Sequence, residues 1–181
     1  LPNFDAETRL IRKGYKAIAG VDEVGRGCIA GPVTAAAVIL NPQKIPSGLN
    51  DSKKLNLKNR EKIFQSIQDT CTFCVAHSSV EEIDQINILQ AALLSMKRAI
   101  LGLRIKPDFV LIDGNKNPEG LASNFETIIK GDSKSLSIAA ASIVAKITRD
   151  RIMSRLDKEF PGYNWSQNAG YPTKMHKSAI L

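Results

Sequence analysis

The order of strand-like and helical segments constrains the fold of this chain most strongly. Two segments rich in alanine and β-branched residues, 15–21 and 32–40, lie at hairpin distance on either side of a glycine-rich turn. A hairpin followed by alternating strands and helices indicates an α/β fold, with a central mixed β-sheet flanked by α-helices. The further predicted segments are strands at 71–78, 109–112 and 125–129, helices at 57–68, 79–101, 134–158 and 174–180, and a short helix or arm at 1–12.

Length and composition favour a single domain over residues 1–181. The chain is 43% hydrophobic and 24% charged, and its longest apolar run, 28–40, is interrupted by glycine and proline and is too short to span a bilayer. We see no secretory signal at the N-terminus, so we expect a cytoplasmic protein with no membrane partner. Nothing in the sequence demands more than a monomer. The net charge of +7 is compatible with a polyanionic partner, although solvated lysines alone give the same value.

The cysteines and histidines do not indicate redox, zinc or nucleophilic chemistry. Cys71 and Cys74 spell C-x-x-C, but in a strand they point to opposite faces, and no second ligand pair exists. We therefore interpret both as ordinary thiols. We expect neither His77, which lies in a strand far from the polar motifs, nor His176 to be a catalyst, and we expect Trp165 to serve in hydrophobic packing.

Four acids lie where apolar strand-like segments end beside a glycine: Asp22, Glu23, Asp113 and Asp132. Acids at strand ends are well placed to converge at one edge of a central sheet. Neighbouring carboxylates repel one another and stay ionised only where cations neutralise them. Because oxygen ligands select hard ions such as Mg²⁺ or Mn²⁺, the pattern predicts a two-metal site of the kind that hydrolyses phosphodiesters.

Simpler interpretations of these acids stay open at this point. Asp132 could cap the N-terminus of the helix at 134–158, and Asp113 followed by glycine is also a common turn signal. Asp22 and Glu23 are adjacent, so an ideal strand sends them to opposite faces of the sheet. Both reach one site only if the strand breaks at that point.

Asp150 is a rival fourth ligand, but helix length argues against it. In a continuous helix, the 18 residues between positions 132 and 150 span roughly 27 Å at 1.5 Å per residue. Asp132 and Asp150 therefore cannot reach the same pair of ions. Because Arg149 and Arg151 flank Asp150, we interpret it as an ion-pair residue.

Six sequence blocks occur in order along nearly the whole chain. They are AGVDEVGRG at 19–27 with AGPV at 30–33, NDSKKL at 50–55, EID with INI at 82–88, VLIDG at 110–114, KGDSKS at 130–135 with AASIVAK at 140–146, and GYPT at 170–173 followed by His176. In this order the blocks resemble ribonuclease HII, the bacterial type 2 ribonuclease H. One block alone carries little information, whereas six in order are highly specific.

The resemblance implies a ribonuclease H-like fold and makes Asp22, Glu23, Asp113 and Asp132 the metal-binding catalytic acids. It also implies hydrolysis of RNA in RNA–DNA hybrids and incision on the 5′ side of single ribonucleotides in duplex DNA, leaving 5′-phosphate and 3′-hydroxyl ends. By this resemblance Asp22 bridges two divalent ions, Mg²⁺ or Mn²⁺, one for the attacking water and one for the departing 3′ oxygen.

The same resemblance implies a substrate-binding set: Gly25, Arg26, Gly27, Lys53, Asn87 and Tyr171. Gly25 and Gly27 have no side chains, so the backbone can approach the 2′-hydroxyl that distinguishes RNA from DNA. The resemblance places Tyr171 against the sugar next to the ribonucleotide and Lys53 on a phosphate, with the asparagine assisting. Arg26 either holds a phosphate or buttresses the turn, and the sequence does not decide between them.

The family usually continues past the GYPT block into a further helix and a His-Arg-rich segment, and we expect this tail to be missing here. Two other hypotheses stay open. Ribonuclease HIII shares the fold but adds an N-terminal substrate-binding domain, for which the 21 residues before Asp22 are too few. A nucleic-acid-binding module without catalysis would gain nothing from concentrated negative charge facing phosphates.

Overall fold

A computed structural model describes residues 1–181, and its centre is a five-stranded mixed sheet with the strand order β3-β2-β1-β4-β5. The strands are β1 (Ile18–Val24), β2 (Val33–Ile39), β3 (Thr72–Ser78), β4 (Phe109–Asp113) and β5 (Asn124–Ile128). The helices are α1 (Asp5–Arg12), α2 (Leu57–Thr70), α3 (Val80–Leu101), α4 (Leu136–Glu159), α5 (Trp165–Asn168) and α6 (Lys174–Ile180), with 3-10 turns at Ser52–Lys54 and Gly131–Ser133.

The strand directions make the sheet mixed, as predicted. Strands β1, β2 and β3 pair antiparallel, whereas β4 pairs parallel to β1 and β5 pairs parallel to β4. The α/β prediction is therefore confirmed. Three short elements were not predicted, because none contains enough residues to show a periodic pattern: α5 and the 3-10 turns at Ser52–Lys54 and Gly131–Ser133.

Helices cover both faces of the sheet. On β2, Ala36 and Val38 point into the core beneath α4, whereas Ala35 and Ala37 point into the core beneath α3. These small side chains let both helices approach the sheet closely, and α4 packs against β1 and β2 through a buried segment, residues 138–145. The central strand β1 is thus enclosed on both faces, and the polar residues at its end are held in a rigid frame.

Helix α3 differs from the single continuous helix that we predicted. The capping box of Ser79 and Glu82 opens it as expected, but Asn87 has φ 69° and ψ 164°, which interrupts the helix. The Oδ1 atom of Asn87 accepts hydrogen bonds from the backbone N–H groups of Leu89 (3.0 Å) and Gln90 (3.1 Å), so its side chain restarts the helix. This combination of positive φ and extended ψ is populated almost only by glycine, so the backbone at Asn87 is strained.

No helix combines the length and the apolar composition that a membrane crossing requires. Division of the chain into one domain stays a prediction.

Candidate active site

Three of the four predicted acids meet beside the end of β4. Asp22 and Glu23 lie within β1, Asp113 is the last residue of β4, and one carboxylate oxygen from each lies within 4.8 Å of the others. The condition that β1 must break for both acids to reach one site does not hold, because its pairing with β2 continues through Val24. Pairing with β4 stops at Val21, however, which opens the sheet beside the two acids.

The adjacent acids do start on opposite faces of the sheet. Asp22 stands opposite Ala36, whose side chain belongs to the core under α4, and Glu23 stands opposite Ala35, which belongs to the core under α3. β4 ends at Asp113, beside the two acids, and both side chains reach its carboxylate. The end of a neighbouring strand, and not a break in their own strand, brings the pair into one site.

Burial and mutual repulsion raise the pKa values of the first two acids. Asp22 is buried, and burial followed by the charges of Glu23 and Asp113 raises its pKa well above the ordinary value. Burial likewise raises the pKa of Glu23, although Arg26, 3.1 Å from Glu23 Oε1, acts in the opposite direction. A hydrogen bond from Ser142 lowers the pKa of Asp22 in part.

These acids fit a divalent cation. The Oε2 atom of Glu23 is buried and has no hydrogen-bond partner, which is costly for a carboxylate oxygen unless a cation meets it. The ligand set is made only of oxygen atoms, as Mg²⁺ and Mn²⁺ prefer. A cation at this point would also relieve the repulsion among the three carboxylates.

Asp132 lines the same cavity but lies outside the tight group of three. The backbone N–H of Gly131 donates to Asp113 Oδ1 at 2.6 Å, which fixes the 3-10 turn that carries Asp132 next to Asp113. Burial, followed by the charges of Asp51 and Asp113, raises the pKa of Asp132. The helix-capping alternative for Asp132 was wrong, because Ser135 caps α4.

The acids line an open cavity of about 800 Å³. It also contains all but one of the predicted substrate-binding residues, the exception being Asn87, whose neighbour Ile88 takes part instead. The complete lining is Asp22, Glu23, Val24, Gly25, Arg26, Gly27, Ser52, Lys53, Ile88, Asp113, Asp132, Ser142, Lys146 and Tyr171. Negative charge on the floor thus faces Arg26, Lys53 and Lys146 on the walls.

Three polar lining residues were not singled out from the sequence: Ser52, Ser142 and Lys146. Ser52 and Ser142 are buried, and their Oγ atoms lie 2.9 Å apart, so a pair of hydroxyls connects the loop before α2 to α4. The sequence spacing could have indicated that α4 turns a polar face toward the cavity. Polar residues recur there every four positions, at Ser142, Lys146 and Asp150, and therefore share one helix face.

Asp150 is an ion-pair residue, as predicted. Its Oδ1 atom lies 2.6 Å from Lys146 Nζ, and its Oδ2 atom lies 3.5 Å from Arg60 Nη1. Lys146 lines the cavity and Asp150 does not, so the ion pair anchors Lys146 at the cavity wall through a residue outside the cavity.

The aromatic segment beyond α4 supports Tyr171. His176 is fully buried: its Nε2 atom lies 2.9 Å from the indole nitrogen of Trp165, which donates to it, and its Nδ1 atom lies 2.8 Å from the Tyr171 carbonyl oxygen. Trp165 stacks on Tyr163 at 4.9 Å, which confirms its packing role. The Tyr171 side chain stays partly exposed beside Gly27.

The two cysteines of the C-x-x-C sequence and His77 lie away from the acids. Cys71 and Cys74 are free thiols, and burial raises the pKa of Cys74, which disfavours the reactive thiolate. His77 Nδ1 lies 2.9 Å from Thr34 Oγ1, and burial lowers the pKa of its ring. None of these three residues lines the cavity.

A mixed sheet that carries clustered carboxylates at a strand end, in a cavity that also contains Arg26, Lys53 and Lys146, is the arrangement expected of the ribonuclease H-like class. A family model described as ribonuclease HII matches residues 19–181. Ribonuclease HII of Ruegeria pomeroyi is 55% identical over 179 residues, covering 99% of this chain and 76% of the relative. The chain belongs to the ribonuclease HII family, and it is a ribonuclease H enzyme.

Solved structures support the same assignment. Ribonuclease H2 of Pyrococcus horikoshii is 28% identical with a TM-score of 0.74, covering 91% of this chain and 85% of that one. Ribonuclease HII of Archaeoglobus fulgidus, solved in complex with PCNA, is 28% identical with a TM-score of 0.76, covering 92% and 87%. The predicted ribonuclease H-like fold and the predicted family are therefore confirmed.

Proposed function

We propose that this enzyme hydrolyses the RNA strand of RNA–DNA hybrids and also incises duplex DNA on the 5′ side of a single ribonucleotide, leaving 5′-phosphate and 3′-hydroxyl ends. The observation that carries the proposal is the meeting of Asp22, Glu23 and Asp113 in one cavity with the Gly25–Gly27 turn and Tyr171. One cavity thus contains both the groups that suit hydrolysis and the groups that suit reading of the sugar.

Asp22, Glu23, Asp113 and Asp132 would hold two divalent ions, Mg²⁺ or Mn²⁺. When bound, such ions supply an activated water and stabilise the departing 3′ oxygen of a phosphodiester. The chain fixes the acids for this role: the Glu23 backbone N–H donates to Asp22 Oδ1 at 2.7 Å, and the Gly131 N–H holds Asp113. These backbone contacts let the carboxylates keep their positions as the phosphate enters.

The Gly25–Gly27 turn is the proposed reader of the 2′-hydroxyl. Gly25 has φ 109°, a conformation that favours glycine, and an added Cβ there would lie 2.6 Å from Arg149 Nε. At Gly27 the backbone passes next to the Tyr171 ring. Backbone groups can therefore approach a ribose whose neighbouring sugar lies against Tyr171, and this geometry suits an RNA-to-DNA junction.

Lys53 is the proposed phosphate contact. Its backbone N–H donates to Asp51 Oδ1 at 2.9 Å, so the lysine leaves a fixed 3-10 turn at the cavity wall. Asn87 would act through its amide N–H groups, because its Oδ1 atom already caps the second part of α3. Arg26 pairs with Glu23 and so buttresses the turn; a phosphate contact from its other N–H groups is part of the proposal.

The competing function, nucleic-acid binding without catalysis, is disfavoured by the same cavity. Three carboxylates on its floor would repel phosphates unless cations intervene, so the cluster weakens simple binding. Monomeric state, cytoplasmic location and the preferred ion stay predictions.

Three labelled duplexes test the proposed function directly: an RNA–DNA hybrid, a DNA duplex with one ribonucleotide, and an all-DNA duplex. With Mg²⁺ or Mn²⁺ present, we expect cleavage of the first, one cut 5′ of the ribonucleotide in the second, and none in the third. Chelation should stop both cuts. Binding of all three duplexes without any cut would favour the binding module instead.

Tyr171→Ala tests the proposed sugar contact. Loss of the ring should reduce incision at a single ribonucleotide by about tenfold or more, because aromatic stacking in nucleic-acid complexes is worth about 1–3 kcal/mol. Tyr171→Phe keeps the ring and should stay near the wild-type rate. Equal activity of all three proteins, compared by initial rates at equal folded concentration, would assign Tyr171 to packing alone.

A further inference from the structure

We propose that Arg149 is a positioning residue that sets the distance between the Gly25–Gly27 turn and Tyr171, and so determines how strongly the enzyme prefers a single ribonucleotide. The inference rests on the proposed function, since it concerns the two groups assigned there to the ribose and to its neighbouring sugar. It adds a residue that does not line the cavity and cannot itself touch the substrate.

Arg149 lies on α4 with 0% of its surface exposed, and it is the largest fully buried side chain in the molecule. Its guanidinium donates to three backbone carbonyl oxygens: Nε to Pro32 at 2.8 Å, Nη2 to Ala30 at 3.0 Å and Nη1 to Ala169 at 2.7 Å. Ala30 and Pro32 belong to the loop that follows the Gly25–Gly27 turn. Ala169 stands two residues before Tyr171.

The chemistry of this contact is unusual for a buried cation. None of the ion pairs in the molecule includes Arg149, so the charged guanidinium is satisfied by neutral carbonyl groups alone. A buried charge without a carboxylate is costly unless several well-directed hydrogen bonds satisfy it. The planar fork of arginine donates in three directions at once, which a lysine ammonium on a flexible stem cannot reproduce.

Glycines allow the two loops to close around the guanidinium. A Cβ at Gly25 would lie 2.6 Å from Arg149 Nε, and a Cβ at Gly170 would overlap the Ala30 carbonyl oxygen. The loops also contact each other directly, because the Ile29 backbone N–H donates to the Gly170 carbonyl oxygen at 2.9 Å. Arg149 thus lies at the centre of the contact between the loop that contains Ala30 and Pro32 and the segment that contains Ala169 and Gly170. We call this contact the joint. It connects the Gly25–Gly27 turn to Tyr171, the two groups that would contact the sugars.

The consequence concerns selectivity more than the cleavage step. The three clustered acids are held by β1 and β4, through contacts that do not involve Arg149. A change in the joint would move the turn and Tyr171 relative to each other while the acids keep their places. Cutting at a single ribonucleotide, which depends on both groups at one junction, should suffer more than cutting within a continuous hybrid.

Arg149→Lys tests this inference, with Arg151→Lys as the matched control on the same helix. Arg151 is exposed and pairs with Glu61 at 2.8 Å, so its conservative change should leave both activities unaltered. The readout is the ratio of kcat/KM on a single-ribonucleotide duplex to kcat/KM on a continuous hybrid. We expect Arg149→Lys to lower this ratio by on the order of 10- to 100-fold, as small misplacements of positioning groups do.

The ratio separates positioning from simple destabilisation. A smaller folded fraction lowers both activities equally and leaves the ratio unchanged, and that result would overturn the inference. In a Tyr171→Ala background the effect of Arg149→Lys should shrink, because one of the two positioned groups is gone. An equal fold-change in both backgrounds would also overturn it.

Gly170→Ala provides a second test if Arg149→Lys does not fold. The added methyl group would push the Tyr171 segment away from Ala30 without altering the arginine, and we expect the same fall in the ratio. A folded Gly170→Ala with the wild-type ratio would overturn the inference. Failure of the wild-type enzyme to cut the single-ribonucleotide duplex would instead contradict the proposed function.

Discussion

Asp22→Asn is expected to reduce incision by on the order of 10³-fold or more, because the cations that this carboxylate would help to hold contribute several kcal/mol to transition-state stabilisation. The fold should survive, since the introduced asparagine would keep a carbonyl oxygen to accept from the Glu23 N–H, as Asp22 does now at 2.7 Å. Initial rates with Mg²⁺, together with circular dichroism of the same samples, measure both effects.

The same substitution should raise the thermal stability of the metal-free protein. It removes a buried carboxylate that is repelled by Glu23 and Asp113. A gain of about 1 kcal/mol corresponds to roughly 2–4 °C in a chain of this size. With Mg²⁺ present, the wild type should have the higher melting temperature, because cations stabilise its acid cluster while the variant lacks one ligand.

The sign of the pH dependence follows from the raised pKa of Asp22. The folded state binds the proton more tightly than the unfolded state, so this carboxyl destabilises the folded protein as the pH rises above 3.8 and through the raised value. The advantage of Asp22→Asn should therefore be smallest near pH 3.8 and should grow toward neutral pH. Asp69→Asn, at an exposed position on α2, is the control for the same chemical change.

A wild-type turnover rate in Asp22→Asn would remove Asp22 from the centre of the site. Equal melting temperatures of Asp22→Asn and the wild type at every pH, without metal, would contradict the proposed repulsion among the acids.

Gly20→Ala should destabilise the protein by about 3 kcal/mol or more, the upper range for overpacking a closed core. Gly20 lies in β1 beneath the start of α4, and an added Cβ would overlap the backbone atoms of Ser137 and Ile138. Backbone atoms cannot turn aside as the end of a side chain can. The melting temperature should therefore fall by roughly 6–12 °C.

The damage at Gly20 should also reach the active site, because α4 carries Ser142 and Lys146. Gly14→Ala serves as a control: it has φ 97° and open space around its Cβ position, so it tests backbone strain without overlap, at a cost of about 1–2 kcal/mol. Urea unfolding at equal protein concentration compares the variants. A Gly20→Ala protein as stable as wild type would show that α4 does not approach β1 as closely as described.

Much of the fold and of the acid cluster could be predicted from the sequence. The hairpin and the alternation of strands and helices indicated the mixed sheet, and the acids beside Gly25 and Gly114 indicated the edge of the sheet where three of them meet. These features are local, since a strand end or a turn depends on a few neighbouring residues. Even so, Asp22 and Glu23 reach one site because pairing between β1 and β4 stops just before them. The position where that pairing stops depends on the tertiary structure.

Other features could not be predicted because they depend on contacts between distant segments. Arg149 stands among charged residues in the sequence and was interpreted only as a flank of Asp150, yet it is buried by loops 117 and 20 residues away. The interruption of α3 at Asn87 leaves the helical pattern on both sides intact, so periodicity does not show it. His176 likewise acquires its role only from Trp165 and the Tyr171 backbone.

The chemistry of the cut ends tests the central claim most directly. A DNA duplex with one ribonucleotide is incubated with wild-type enzyme and Mg²⁺, and mass spectrometry identifies the new termini. Attack by water, directed by the acid cluster, predicts a 3′-hydroxyl on the upstream DNA and a 5′-phosphate on the ribonucleotide, both absent with Asp22→Asn. A 2′,3′-cyclic phosphate, or the same ends from Asp22→Asn at an undiminished rate, would contradict the account.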